Sequence, residues 1–576
     1  MALQSLDPAT FDRTDLTTRH EGPLVLPHDL LFHRLHFLAF YSNTSAVRDA
    51  FRGIDVNYRQ LLSDVVAARN RIQTAISLKA FDTIYDEREA SFVLIARGYE
   101  FVVIFLAVLA LGGIAVPTSI HITQKELSHV LRTSRASATI CSREYSSIAQ
   151  SGSPAKKNEE DYVVVTLDDM VDNTPVTPST LTFSSSKTPD PNKPGLIIFT
   201  SGSTGPPKGV ALRRYNLFAI SSLQCWRQNM GPGYVGLNLL PTHHATGLLV
   251  NILPVLVGGG CVEFTQPKFD AVKIWERIKL GGINLFSAVP TIYVRLLQHW
   301  EKWSPGIDAV ERELYQTAVS NIEQFHCGSA ALPASIASKW AALCRGRQIA
   351  ERYGGTEFGN PFAHSPGVPV VTGSVGTTNP GIESYLEQGD EGEIFIRSPF
   401  LFSKYIYDIE ATKKSLTADG FFKTGDVAEK HGENFFIKGR KSVDILKSGG
   451  YKISALDVER QVLEHPIIAE AIVVGVDDDE FGQRIAAAVV LNEVRKFIYL
   501  LKPLTYIQGA DSLSLPELRS FLRDKLSSYK LPTLLRVVRE LPKTTTLKVP
   551  KLLITKDLFG TDHPDIQNWS SSRVKL

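Results

Sequence analysis

Hydrophobic and polar positions follow two different periods along the first 150 residues. Tyr58-Arg59-Gln60-Leu61-Leu62 opens a helical pattern, whereas Ile114-Ala115-Val116-Pro117 is a short unbroken apolar run of the kind a buried strand shows. The stretch from Phe101 to Leu111 is apolar on every side. It is too short to cross a bilayer before Gly112-Gly113, and it leads into the apolar run at 114, so a buried helix feeding a strand is expected, without a membrane span. Further strands are predicted at Tyr162-Val163-Val164-Val165-Thr166 and Gly195-Leu196-Ile197-Ile198, and strand, turn and helix across 283–297. Within 151–195, a stretch rich in Ser, Thr, Pro, Lys and Asp, residues 174–193 read as an exposed linker, and 491–512 as an extra segment. Alternating helices and strands define an α/β chain.

The segment after the run at 195–198 moves the question from architecture to chemistry. Phe199-Thr200-Ser201-Gly202-Ser203-Thr204-Gly205-Pro206-Pro207-Lys208-Gly209-Val210 hangs hydroxyls, glycines and one lysine from a rigid strand edge. Glycine lets backbone amides approach phosphate oxygens, hydroxyls add hydrogen bonds, and lysine adds a point charge, which is how a polyphosphate is held. A Walker loop needs Gly directly before Lys and Ser or Thr directly after it; here Pro207 and Gly209 flank Lys208. The formal G-x-G-x-x-G at 231–236 has no entering strand and no helix leaving it, so it reads as a turn. His243 and His244, as strand neighbours, would point to opposite faces and do not suggest a metal site.

Composition narrows the class without naming it. The 576 residues exceed one core, 43% are hydrophobic, and the net charge of +2 calls for neither nucleic acid nor an anionic membrane. Five scattered cysteines without CxxC spacing suit free thiols in a reducing compartment, so a cytoplasmic protein is expected. Val574-Lys575-Leu576 loosely echoes a peroxisomal tail, which is the alternative. Nothing in the sequence sets the oligomeric state.

From about residue 30 to 556 the chain resembles the adenylate-forming superfamily of acyl-CoA synthetases, nonribosomal adenylation domains and luciferases. The resemblance rests on the 199–210 loop and, in the family's order, on Gly328-Ser329-Ala330, Glu351-Arg352-Tyr353-Gly354-Gly355-Thr356-Glu357, Lys423-Thr424-Gly425-Asp426, Gly439-Arg440, Ser448-Gly449-Gly450-Tyr451 and Pro542-Lys543-Thr544-Thr545-Thr546-Leu547-Lys548. It implies an N-terminal adenylation domain, 1–440, of stacked sheets flanked by helices with a small β-barrel-like subdomain, and a small mobile α+β domain, 441–576. It also implies ATP and Mg2+ as cofactors, with CoA as co-substrate.

Residue by residue, the resemblance assigns Thr200, Ser201, Gly202, Ser203, Thr204, Gly205 and Lys208, with Gly328, Ser329, Ala330, Glu351, Arg352 and Gly354, to ATP or AMP. Tyr353 stacks on adenine, Thr356 touches the α-phosphate, Glu357 holds Mg2+, Asp426 takes the ribose hydroxyls and Arg440 the ribose or phosphate. Lys548 is the adenylation lysine, although Leu547 replaces the usual glycine before it. Lys548, Thr356, Glu357 and Lys208 thus form the expected catalytic set. Ser448, Gly449, Gly450 and Tyr451 line the path of CoA, and His244 lies beside the acyl pocket. The segments around 288–295, 328–333 and 443–456 read most like malonyl-CoA synthetases, where an arginine at the Arg295 position binds the distal carboxylate. Arg295 itself falls among Ile292, Leu296 and Leu297, an apolar setting in which a guanidinium needs an anionic partner. Malonate or a related short dicarboxylate is therefore the leading acid. The alternatives are a ligase for another carboxylic acid, a ligase loading a carrier protein, and a degenerate adenylate-binding regulator.

Overall fold

The computed structural model describes residues 23–76, 90–152, 162–168, 176–184, 190–200, 206–365, 367–492, 513–543, 551–560 and 563–569, apart from the side chains of 552–554. Two seven-stranded sheets carry the larger part. In the first, the order is Lys404–Tyr405, Lys208–Arg213, Pro194–Thr200, Ile114–Pro117, Ser91–Ile95, Ala138–Ser142 and Val163–Leu167. Its pairings are parallel from Pro194–Thr200 to Val163–Leu167 and antiparallel on the Lys208–Arg213 side. Ser91–Ile95 and Ile114–Pro117 are buried at every position, as unbroken apolar runs require.

The second sheet runs Ile349–Glu351, Gln324–Cys327, Leu285–Ala288, Val235–Asn238, Cys261–Phe264, Ser45–Asp49 and Ile54–Asn57. Only its last pairing is antiparallel. The apolar run at 101 is the helix Gly98–Ala110, in which every residue but Glu100 is buried. It feeds Ile114–Pro117 as expected. A fully buried side chain of its Leu or Phe type contributes about 1.5–3 kcal/mol, so this helix is a principal strut of the core. No described helix is long and apolar enough to cross a membrane.

Two expectations need correction. The 174–193 stretch is not simply an exposed linker: Thr182–Phe183 pairs with Val25–Leu26, and Val176 N donates to Ser63 Oγ at 2.8 Å. Its apolar members, such as Leu181, 6% exposed, give that segment a face to bury. The histidines at 243–244 are not on a strand; they sit in a turn before Ala245–Gly247 with their rings 4.4 Å apart. The formal glycine motif is the expected turn, closed by Tyr234 N donating to Gly231 O at 3.0 Å.

Antiparallel strands complete the larger part: Tyr353–Gly355, Gly359–Ala363 and Thr377–Thr378 in one sheet, Glu383–Leu386, Glu391–Arg397, Phe422–His431 and Asn434–Arg440 in another. Phe362 and Phe435 stack across them at 4.0 Å. From 445 onward a separate sheet pairs Tyr451–Ser454, Ile445–Ser448, Gly482–Leu491, Leu534–Val538 and Gln567–Asn568, with Ile468–Asp478 also on Gly482–Leu491. Its cores draw only on residues 446–569.

Candidate active site

The expected phosphate loop joins two strands of one hairpin, with Thr200 opposite Lys208. Ser201, Gly202, Ser203, Thr204 and Gly205 lie outside the described residues. Lys208 is exposed and holds its Nζ 5.1 Å from the centre of the Tyr405 ring. Tyr405 reaches that position because its strand is pinned to this hairpin. Ile406 N donates to Gly209 O at 2.8 Å, and a Cβ at Gly209 would stand 2.6 Å from Ile406 Cγ2. Tyr405 Oη in turn donates to Glu357 Oε1 at 3.0 Å. Lysine, phenol and carboxylate therefore stand in series, although they come from three separate stretches. Burial raises the Glu357 carboxyl above its ordinary range, while the Tyr405 hydrogen bond and the Arg440 charge pull it partly back. Thr356 precedes it in the same turn, 356–358.

A second string begins at Tyr353, 8% exposed, whose hydroxyl donates to Asp426 Oδ2 at 2.7 Å. The other carboxylate oxygen, Oδ1, accepts from Arg440 Nε at 3.1 Å. Asp426 and Arg440 face each other because their strands pair in register. Burial raises Asp426 as well, opposed chiefly by the charge of Arg440. Arg440 N donates to Asp444 Oδ2 at 2.9 Å, and Asp444 Oδ1 accepts from Lys551 Nζ at 2.7 Å. Lys551 also meets Glu459 Oε1 at 2.5 Å. This half-hidden triad ties the 440–444 connection to the helix Lys551–Phe559, which starts three residues beyond Lys548.

Gly328, Ser329 and Ala330 come directly after the strand Gln324–Cys327, and Ser329 holds φ at 70°, a left-handed conformation uncommon for a residue other than glycine. Glu351 Oε2 accepts from Leu332 N at 3.0 Å and so braces that loop. Gly354 is required by space: a Cβ there would lie 2.3 Å from Gly359 O. Arg352 is tied to His326, its Nη2 lying 3.2 Å from the imidazole Nε2.

The remaining expected residues divide. His244 stands at the start of Ala245–Gly247, beside His243, which burial lowers to about 3 and so keeps neutral. Arg295 does not sit in an apolar setting. It is exposed on the helix Pro290–Trp303, over the Phe269 ring at 5.7 Å, because Ile292, Leu296 and Leu297 turn to the core and leave it on the opposite face. Ser448 and Tyr451 close a two-residue hairpin across Gly449 and Gly450, whose φ angles are 55° and 82°. Tyr451 stacks on Tyr529 at 4.2 Å. Lys548 lies outside the described residues.

Sequence reasoning missed Tyr405, Lys551 and the His326 contact. Tyr405 stands in no motif, and only strand pairing brings it to Glu357. Lys551 had a signal, a lysine opening an apolar helical run three residues after Lys548.

An adenylate-forming fold of this kind, with the Lys208 hairpin linked through Tyr405 to the buried carboxylate of Glu357, defines a class of nucleotide-using enzyme. The chain belongs to the AMP-binding enzyme family, whose description matches residues 38–406, with the AMP-binding enzyme C-terminal domain matching 457–548. It is similar to a CoA ligase of Gibberella moniliformis, 32% identical over 92% of this chain and 96% of that protein. It is also similar to a mitochondrial malonate–CoA ligase of Mus musculus, 31% identical over 94% of each. Among solved structures, a malonyl-CoA ligase in a ternary product complex with methylmalonyl-CoA and AMP is 27% identical, covering 88% of this chain and 99% of that one, with a TM-score of 0.58.

Proposed function

We propose that this enzyme joins a carboxylic acid to CoA at the expense of ATP, through an acyl-adenylate, and that the acid is malonate or a related short dicarboxylate. The observation that carries the choice of acid is the end-to-end similarity to malonate–CoA ligase. A carboxylate does not react usefully with a thiol in water because its leaving group would be oxide. Attack of the carboxylate on the α-phosphorus of ATP expels pyrophosphate, and the thiol then displaces AMP from the mixed anhydride. The protein's work is positioning and charge stabilisation.

The geometry suits those roles. Asp426, oriented by Tyr353 and Arg440, offers its carboxylate to the ribose hydroxyls. Tyr353 is packed against Phe358 and Phe362 at 5.6 and 5.7 Å, so its fixed contribution is the hydroxyl that orients Asp426, with only a narrow face left for adenine. Lys208 and the 200–205 loop meet the phosphates. Among the described residues no group of three His, Cys, Asp or Glu holds a metal unaided. The single buried carboxylate of Glu357 nevertheless fits Mg2+, which takes one or two carboxylates and fills its shell from water and substrate phosphate. When bound, the ion would neutralise developing charge on the leaving pyrophosphate. Arg295, exposed and without a described carboxylate beside it, offers an incoming anion an attraction that solvent screens.

We divide the chain at 440–441, on the strength of the separate core beyond it, and place CoA at the Gly449-Gly450 hairpin. The five unpaired thiols favour a reducing, cytoplasmic setting, with mitochondria the competing compartment; residues 574–576 lie outside the described ones. The test is pyrophosphate release with ATP, Mg2+ and CoA across malonate, methylmalonate, acetate, medium-chain and aromatic acids. Selective release with malonate or methylmalonate is expected; release with monocarboxylates alone would overturn the choice of acid.

A further inference from the structure

Where the chain leaves the larger part, Asp444 is held from both sides. Its Oδ2 accepts from Arg440 N at 2.9 Å, its own N donates to Arg440 O at 2.8 Å, and its O accepts from Ala455 N at 2.7 Å. It sits over Gly439, where a Cβ would come within 2.4 Å of Asp444 Cβ. The turn 440–444 thus closes on the residue whose guanidinium reaches Asp426. The charge of Asp444 also reaches Asp426, where it opposes ionisation.

From the other side comes Lys551, whose single ammonium serves both Asp444 and Glu459, with all three side chains only 12–13% exposed. Burial alone would lower that ammonium, but the charges of Glu459 and Asp444 overcome it and hold it above its ordinary value. Glu459 Oε1 also accepts from Val473 N at 2.7 Å. Lys551 opens the helix Lys551–Phe559, and the far end of that helix is fixed as well: Leu558 and Phe559 pack with Ile472 and Val474, and Arg536 Nη1 donates to Leu558 O at 2.8 Å. Exposed ion pairs contribute little, whereas removing one partner of a buried pair leaves an uncompensated charge.

We propose that Lys551 is a positioning residue for the nucleotide: it pins Asp444 from the small-domain side, keeps the 440–444 turn closed and so holds Arg440 on Asp426. This rests on the ATP-dependent ligase reading and deepens it. Lys551 acts through Asp444 and Arg440, so the small domain supports ATP binding by a route separate from Lys548.

The test measures KM for ATP, malonate and CoA, with thermal midpoints, in the full-length enzyme and in Lys551→Met, Lys551→Arg, Asp444→Asn, Glu459→Gln and the double variant Lys551→Met/Asp444→Asn. Lys551→Met should raise the KM for ATP roughly tenfold to hundredfold, as loss of a charge-assisted hydrogen bond does, while the values for malonate and CoA stay within about threefold. Lys551→Arg keeps a charged donor for both carboxylates and should restore most of that loss. Asp444→Asn keeps an acceptor for Arg440 N but loses the charge facing Lys551; a rise of about tenfold is expected, and this variant carries the test if Lys551→Met does not fold. Since both substitutions act through one contact, the double variant should be no worse than Lys551→Met alone. Glu459 bonds Lys551 and Val473 but not the 440–444 turn, so Glu459→Gln should leave the KM for ATP within about threefold even where the midpoint moves.

Equal rises in all three KM values, or losses that follow the midpoint through every variant including Glu459→Gln, would make the triad a structural brace and overturn the assignment. So would an unchanged KM for ATP in folded Lys551→Met and Asp444→Asn, or full additivity in the double variant. A wild-type enzyme without ATP-dependent pyrophosphate release would overturn the ligase reading itself, whereas release with an unaltered KM for ATP in the variants overturns this inference alone.

Discussion

The two places where this enzyme is expected to do chemistry are built from opposite materials. On the nucleotide side, Tyr353, Glu357, Tyr405, Asp426 and Arg440 form hydrogen-bonded strings in which burial raises both carboxylates. On the thiol side, Gly449 and Gly450 form an open turn: among the described residues a Cβ at Gly450 would meet nothing within 4 Å, and one at Gly449 would meet only Phe481 Cδ1, at 3.7 Å. The first region stores its function in preorganised charge, the second in backbone shape and free space. On the proposed placement of ATP and CoA, two half-reactions with different electrostatic needs would account for the difference, since phosphoryl chemistry must stabilise developing charge and a pantetheine arm must only be let in.

The sharpest way to separate the regions is Lys548→Ala. We expect adenylation to fall a hundredfold or more, the cost of one well-placed donor, while conversion of isolated acyl-adenylate to thioester persists. Single-turnover assays of each step check this, and equal loss in both would break the division. Asp426→Asn comes next. It weakens the bonds to Tyr353 and Arg440, and losing a charge-assisted hydrogen bond of about 1.5–3 kcal/mol should raise the KM for ATP roughly tenfold to hundredfold. An unaltered KM would remove Asp426 from the ribose.

Gly450→Ala is smaller and acts on the other region. Its φ of 82° is one an L side chain rarely adopts, although the surrounding space is open, so about 1 kcal/mol of backbone strain is expected. The thioester step should slow by more than adenylation does, and the reverse order would place CoA elsewhere. The glycines of this hairpin were read from sequence as room for a ligand. Their first duty is the turn itself, since a two-residue hairpin with both central φ angles positive favours Gly at each position.

That dual role marks where the sequence was legible. Apolar runs fixed the buried helix at 98–110 and the strands beside it, because burial on every face leaves an unambiguous signature. The family resemblance brought Tyr353, Glu357, Asp426 and Arg440 forward as a set, and folding places them in two hydrogen-bonded strings. What the motifs could not convey was side-chain direction. Arg295 has apolar neighbours in the sequence yet lies on the exposed face of its helix, since helical period and not adjacency decides burial. Arg352, expected at the nucleotide together with its neighbours, has its guanidinium tied to His326, because successive positions of an extended chain face opposite ways. Tyr405 enters only through strand pairing far along the chain, a non-local contact with no local trace.

The mildest test concerns pH and stability. Burial lifts the folded-state pKa of Glu357 above its unfolded value, so the folded protein holds that proton more tightly than the unfolded chain. The stability this group contributes is fully present below its unfolded pKa and is lost as pH rises through the folded one. At neutral pH the ionised carboxylate is therefore a cost, one that the proposed role of Glu357 would explain, since an anionic oxygen is what would hold Mg2+. Glu357→Gln should raise the thermal midpoint at neutral pH while adenylation is lost. The difference from wild type should shrink as pH falls through the raised pKa, where Glu357 becomes neutral like its replacement. Wild-type adenylation should show an acid limb displaced upward from the ordinary glutamate range. Thermal scans of both proteins across pH decide the matter: a variant less stable than wild type at neutral pH would mean that the Tyr405 hydrogen bond outweighs burial, and that the nucleotide region stores no strain for its function.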